Sequence, residues 1–234
     1  VNFFARNLQI FKRIGLPLYV LTLVYTSLDQ LLTINTEAAL RSPNGGTAWI
    51  WAYGFSSLLV GIIFPVLGIL VVLYGVQNTE TNSETSEKGL WEFIQHHINQ
   101  LCIEILRSWG KTLLWTLVFI LPGIWKYIQF TMIPFVVTLS KNYDRGEEDA
   151  LKASSQLVRT NLLKVSAILV IFHLIFPSIL TVLFDEYRLV WQTPFSALVL
   201  TLIDVYLFVF STQLLLGIFE ARNKSEVPNA VSHI

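Results

Sequence analysis

Five stretches of this chain, Ile14–Ile34, Ala48–Val76, Leu113–Leu139, Val165–Phe184 and Phe195–Phe219, are almost continuously apolar. Wound as helices at 1.5 Å per residue, runs of roughly twenty residues match the roughly 30 Å hydrocarbon layer of a bilayer. One such run could be a buried helix of a soluble protein, but not five in 234 residues. Hydrophobic residues make up 53% of the chain, charged residues 14%, and the mean hydropathy is +0.58. A water-soluble domain of this size cannot bury so much apolar surface. The sequence therefore predicts an all-α integral membrane protein, with residues 1–234 forming a single transmembrane domain. Trp49, Trp51, Trp109, Trp125 and Trp191 lie near the ends of apolar runs, where amphipathic rings favour the membrane boundary.

The stretch Gly110–Lys141 is too long for one crossing and short for two. At its middle, Pro122 lacks a backbone donor and Gly123 frees the chain to turn, so the pair predicts a reversal. Charge tests this against a single crossing. With the reversal, Arg6, Lys12, Arg13, Lys88, Arg107, Lys111, Lys141, Arg145, Lys152, Arg159, Lys164, Arg222 and Lys224 share one side, and only Arg41, Lys126 and Arg188 fall outside it. That asymmetry is the positive-inside signature of a cytoplasmic face. A single crossing would scatter the bases evenly and strand Lys126 in the bilayer. The expected architecture is a six-helix bundle with spans at about 14–34, 49–76, 109–121, 124–140, 163–184 and 195–219 and both termini cytoplasmic. The short third and fourth spans form either a full hairpin or a re-entrant pair. Arg6, Lys12 and Arg13 precede a first span too long for a signal-peptide core, so that span is expected to be retained.

Between the second and third spans, residues 77–88 are polar and turn-rich and predict a cytoplasmic loop. Two cytoplasmic-side amphipathic helices are expected. In the first, Leu90, Trp91, Ile94, His97, Ile98, Leu101 and Ile105 recur at helical spacing opposite Glu92, Gln95, His96, Asn99 and Gln100. It would lie on the inner membrane face or cap the bundle. The second starts at Glu147-Glu148-Asp149, whose charges suit a helix N-terminus. There Ala150, Leu151, Ser154, Leu157, Val158 and Asn161 share a face, with Lys152, Gln156, Arg159 and Lys164 beyond it. Those bases suit anionic headgroups at about 1 kcal/mol each.

Leu121-Pro122-Gly123-Ile124, then Pro134-Phe135-Val136-Val137, then Ala150-Leu151-Lys152 with Ser154, Leu157 and Asn161 together resemble the bacterial YciC-like inner-membrane proteins. The same pattern is found in the membrane domain attached to glycerophosphoryl diester phosphodiesterases. The resemblance is strongest over residues 110–175 and implies a six-helix membrane domain with an interfacial helix before the fifth span, in a bacterial inner membrane. The phosphodiesterase barrel needs about 250 residues of its own, so no catalytic position carries over.

Asp204 stands near the middle of the last span, where an acid costs a few kcal/mol on insertion scales and faces the bundle interior or water. His173, mid-way along the fifth span, is its candidate partner, with Gln129, Tyr206 and Gln213 available to satisfy both. The pair is either a proton or substrate relay or a structural link that fixes packing. Lys126 is either a snorkelling lysine at the outer surface or, in a re-entrant turn, an intramembrane charge. His96 and His97 are adjacent, so as helix positions they point about 100° apart and form no metal-ligand pair. Ser108 and Lys111 match the Ser-x-x-Lys form without its companion motifs. Cys102, the lone cysteine, reads as a small buried apolar residue. Pro65, Pro134 and Pro177, with Gly61, Gly68 and Gly75, mark kinks or close contacts. No catalytic, cofactor or metal motif is present, and zero net charge offers nothing to nucleic acid. The sequence thus leads first to a non-enzymatic scaffold or accessory subunit, held in the lipid bilayer and joined to a membrane-protein partner or a second copy. The alternative is a transporter or lipid-handling protein with Asp204, His173 and Lys126 around a polar cavity.

Overall fold

The computed structural model describes residues 3–41, 47–80, 89–184, 190 and 192–226. Among them the architecture is entirely helical, and five stretches are long and apolar enough to cross a membrane: Arg6–Arg41, Thr47–Asn78, Ile120–Leu139, Leu162–Phe184 and Pro194–Arg222. Of the predicted features, Lys88, Arg188, Trp191 and most of the polar loop lie outside the described residues.

Three long helices make the frame. Helix α1 (Phe3–Arg41) runs antiparallel to α2 (Thr47–Glu80), and α10 (Pro194–Glu226) packs along the other flank of α1. At 39 residues, α1 is about 58 Å long, well beyond the hydrocarbon layer. Its contact with α2 is close because Gly75 meets Ile14 and Gly68 meets Leu18 and Phe208; Gly61 faces open space. Small residues let helix backbones approach where lipid supplies no hydrophobic drive. The hydroxyls of Thr22, Thr26 and Thr36 return to carbonyls four residues back, which satisfies them inside an apolar helix. Helix α2 runs on through Glu80, into the predicted loop, and Arg13 donates to the Asn78 carbonyl near its end, where helical carbonyls lack intrahelical partners.

The first and last helices meet at one end of the bundle. Gln213 Nε2 donates to Asn7 Oδ1 at 2.9 Å, both residues being buried, and Arg6 pairs with Glu220 at 3.0 Å.

The predicted third and fourth spans take a different form. Helix α3 (Leu90–Val118) is continuous, so the expected amphipathic helix and the start of the third span are one rod. Phe93, Ile94, Leu101, Glu104, Ile105 and Ser108 form its buried face. Phe93 packs on Tyr74 at 5.6 Å and displaces Trp91, which is exposed. Cys102 is also exposed, not the buried apolar residue expected, although Leu101 beside it is buried. The reversal comes at Phe119, whose extended backbone (φ −155°, ψ 140°) breaks the helix three residues before Pro122. Helix α4 (Ile120–Phe130) then folds back on α3. Pro122 sits in its first turn, where the missing N–H has no intrahelical partner to lose. Gly123 serves contact and not the turn: a Cβ there would lie 2.8 Å from Thr116 Cβ and 2.9 Å from its Cα.

Helix α5 (Ile133–Leu139) begins with Pro134 as its second residue, so this proline starts a helix where a kink was expected. After α6 (Lys141–Asp144), Gly146 takes a left-handed conformation (φ 73°) that glycine adopts without strain. Asp149 then caps α7 (Ala150–Thr160) by accepting from the Lys152 N–H at 3.0 Å. Ala150, Leu151, Ala153, Ser154, Leu157 and Val158 are buried, against α4 and α5. Helix α8 (Leu162–Leu169) passes into a π-helical segment, Val170–Ile175, and then α9 (Phe176–Phe184). Pro177 cannot donate to the His173 carbonyl, and the wider π turn, with Phe176 N–H bonded to Ile171 O, is the local adjustment.

Candidate functional site

A cavity of about 900 Å³ opens between α1, α2, the π segment with α9, and α10. Its polar lining follows one stripe of α1: Thr22, Tyr25, Thr26, Asp29, Thr33 and Glu37. These recur at the three- and four-residue spacing that puts side chains on one helix face. From Leu18 to Glu37 the lining covers about 28 Å of helix. On α2 the wall is Phe64, Pro65 and Gly68; on the fourth apolar stretch, Phe172, His173, Pro177 and Thr181; on α10, Thr201, Asp204, Phe208 and Ser211. The π segment therefore carries His173 into this wall.

Aromatic contacts and hydrogen bonds hold the walls. Tyr25 packs on Phe64 at 5.7 Å, and Phe172 on Phe210 at 5.5 Å. Asp29 accepts from Ser57 Oγ at 3.2 Å, tying α1 to α2. Gln30 Oε1 accepts from the Val190 N–H at 3.0 Å. At the mouth, exposed Glu37 pairs with Arg41 at 3.3 Å, one turn on.

The structure thus puts Asp204 and His173 on one cavity and Lys126 elsewhere. Lys126 donates to Gln129 Oε1 at 3.0 Å and stands 5.9 Å from the Trp115 ring and 5.8 Å from the Phe130 ring. The three expected partners of Asp204 and His173 have other roles. Gln129 takes Lys126, Tyr206 packs edge-on to Phe11 at 5.7 Å, and Gln213 binds Asn7. Asp29, Glu37 and Tyr25 were missed by reading the sequence for isolated intramembrane charges. Their signal is the polar stripe itself, six residues at helical spacing within an otherwise apolar run.

The other end of the bundle is polar in a different way. Ser154 Oγ donates to the Gln129 carbonyl at 2.7 Å, joining α7 to α4. Ser140 Oγ donates to Glu148, whose other oxygen meets Arg222 at 2.8 Å. Leu151 and Leu157 are buried beside these bonds, while exposed Arg159 lines a groove with Arg222. Arg107 on α3 reaches Asp149 at 2.7 Å and Glu104 at 3.4 Å. Burial alone would raise the Asp149 pKa, but the Lys152 N–H and the Arg107 guanidinium together hold it below its ordinary 3.8. The Asp149 bond in turn raises Arg107. Tyr143 is raised by burial and by the nearby Glu104 and Asp149 charges.

Asp149 gives an acid-sensitive joint. Because its folded pKa is depressed, its stabilisation is complete above the ordinary carboxylate range and is lost as pH falls below about 3.8 through the lowered value. Thermal unfolding of purified protein is expected to show a drop over that window which Asp149→Asn reduces. Asp149→Ala is expected to cost about 1 kcal/mol at neutral pH from the lost helix cap. An unchanged acid profile in Asp149→Asn would show that the Arg107 pair contributes nothing.

Comparison with protein-family models, with curated proteins and with solved structures finds no match to this chain.

Proposed function

We propose that this chain is a multi-pass membrane protein that admits a ligand into a polar cavity within its helix bundle, in transport or lipid handling. The observation that carries the reading is the cavity: Asp204, His173 and Asp29, on three separate helical elements, share one lining of about 900 Å³. An acid within an apolar helix is expensive unless it faces protein or water, and a cavity in the bundle provides such a face. The accessory-subunit reading calls for a dry, close-packed interior instead. Enzymatic chemistry is not part of the proposal.

The topology proposed with it keeps both termini on the cytoplasmic face of a bacterial inner membrane, in keeping with the YciC-like resemblance. Support comes from the pairing of α1's start with α10's end and from the clustering of bases at that side. Within this topology α3 and α4 form a re-entrant hairpin. From Lys111 to Phe119 is about 12 Å of helix and from Phe119 to Lys126 about 10 Å, well short of a roughly 30 Å crossing. The tip residues Leu117, Phe119, Ile120 and Leu121 are exposed, as a lipid-immersed tip requires. Full spans are then α1, α2, α8 to α9, and α10.

One set of single cysteines tests both claims in a Cys102→Ser background. Cysteines at Thr33, Thr26 and Ser211 sample the mouth, middle and inner end of the cavity, and one at Leu174 samples the exposed surface of the fourth apolar stretch. A membrane-impermeant thiol reagent applied outside is expected to modify the first three, progressively more slowly with depth, and to spare Leu174→Cys and Leu121→Cys. Protection at Thr26 and Ser211 would establish a dry bundle and return the accessory-subunit reading. Rapid labelling at Leu121 from outside would establish a full hairpin.

A further inference from the structure

We infer that the groove between the ends of α7 and α10 seats the phosphate headgroup of an anionic phospholipid. The inference rests on the membrane placement of the helices proposed above and not on the cavity. The groove, of about 720 Å³, has Gln156, Leu157 and Arg159 on its α7 wall and Ile218, Ala221 and Arg222 on its α10 wall. Gln156 and Arg159, like Ile218 and Arg222, stand three or four residues apart, the spacing that puts side chains on one helix face.

The height of the groove points to a lipid. Two of the apolar stretches end at it: Leu162–Phe184 begins at the residue after Asn161, Pro194–Arg222 stops at Arg222, and both Asn161 and Arg222 line the groove. With those stretches in the bilayer, the groove stands at the level where hydrocarbon gives way to headgroups. Basic pockets between membrane helices at that level take anionic headgroups. Just beyond it, on the first turn of α8, Leu163 is 85% exposed, an apolar surface for an acyl chain to lie against.

The charge offered to a ligand is that of Arg159. Arg222 is paired with Glu148 at 2.8 Å. Thr160 and Asn161 spend their side chains locally, Thr160 Oγ1 donating to the Leu157 carbonyl at 2.9 Å and Asn161 Nδ2 to Thr160 Oγ1 at 3.1 Å. Arg159 is exposed, and its guanidinium has no hydrogen bond or ion pair among the described residues. A guanidinium is a planar fork of donors matched to phosphate oxygens. Gln156 sets an exposed amide one turn away, and Lys152 and Lys164, both exposed, flank the pair along the chain. Leu157 and Ile218 add apolar lining, and the volume lies in the range of small-molecule sites, more than a bare phosphate ion fills.

The test titrates the full chain in dodecylmaltoside micelles with phosphatidylglycerol or with phosphatidylcholine of the same acyl chains, and reads bound lipid by native mass spectrometry. Saturable binding of phosphatidylglycerol in preference to phosphatidylcholine is expected. Arg159→Gln is expected to weaken it about fivefold, the equivalent of the roughly 1 kcal/mol that a base contributes at an anionic surface. Ala221→Trp, which fills the groove from an exposed position without changing charge, is expected to abolish it. Lys12→Gln, at an exposed base of α1 outside the groove, is expected to leave it unchanged. Equal binding of the two lipids, equal losses in Arg159→Gln and Lys12→Gln, or undiminished binding in Ala221→Trp overturns the seat in favour of diffuse attraction. Displacement of the lipid by glycerophosphate or inorganic phosphate at the lipid's own concentration overturns the lipid and assigns the groove to a soluble anion. Each of these failures leaves the thiol-labelling pattern of the cavity and the hairpin tip where it stands, so the proposed function is judged apart.

Discussion

Replacing Gly123 by alanine is expected to lower the thermal unfolding midpoint of the purified protein more than any other single methyl addition to its glycines. The new Cβ would collide with the Thr116 hydroxyl and lie 2.8 Å and 2.9 Å from Thr116 Cβ and Cα. Backbone blocks it as well as side chain, so α3 and α4 must separate. Overpacking of this kind costs about 1–3 kcal/mol and more where the backbone has to move. Thr116→Ala in the same chain removes the hydroxyl but neither carbon, so it is expected to return only part of the loss. Complete rescue would mean that the hairpin yields easily and that the Cα approach is unimportant. No loss at all would mean that the two arms are not packed as described.

Gly75→Ala is expected to cost about 1–3 kcal/mol as well, but with a different pattern of rescue. The clash there is with Ile14 Cγ2 at 2.7 Å and Cδ1 at 3.1 Å, side-chain atoms only. Ile14→Ala on its own empties a buried site, since Ile14 is fully enclosed, and is expected to cost about 2–5 kcal/mol. Combined with Gly75→Ala it should cost less than the two separately, the new methyl occupying part of the space. The rest of the α2 series sets the scale. Gly68→Ala would press on Phe208 at 3.3 Å and should be milder, while Gly61→Ala meets nothing within 4 Å and should gain up to about 1 kcal/mol of helix propensity. Equal effects at all three positions would show that propensity, not contact with α1 and α10, governs this face.

The long helices were legible because their cause is local: an apolar run of sufficient length has little choice in a bilayer, and Asp149 announces the start of α7 by its own capping chemistry. The break between α3 and α4 was misplaced for an equally physical reason. Pro122 and Gly123 look like a turn, yet proline is harmless in the first turn of a helix and glycine equally marks a close approach. What breaks the chain is the extended backbone of Phe119, and nothing in phenylalanine's propensities requires it. The amphipathic pattern of α3 identified Ile94, Leu101 and Ile105 of its buried face, missed Glu104 and Ser108, and assigned Trp91 inward in place of Phe93, because Tyr74, the ring that recruits Phe93, belongs to another helix. Asp204 and His173 stood out as polar residues in apolar runs. Their cavity did not, since it is made where separate helices diverge, and Lys126 fell outside it on a local bond to Gln129. The α1 stripe was readable in principle, but attention to single charges hides a pattern that threonine and tyrosine complete.

The joining of α1 to α10 through Asn7 and Gln213 carries a consequence for the order of biosynthesis. Helix α2 follows α1 at once and can pair with it as both enter the bilayer, but α10 emerges after some 150 further residues. Until then Asn7 lacks the amide it binds in the finished protein, and the flank of α1 that holds the Asp29 stripe faces a gap. The cavity is therefore the last part of the molecule to exist, and a ribosome stalled before Pro194 leaves a chain with an unclosed polar flank for the membrane's quality-control machinery to find.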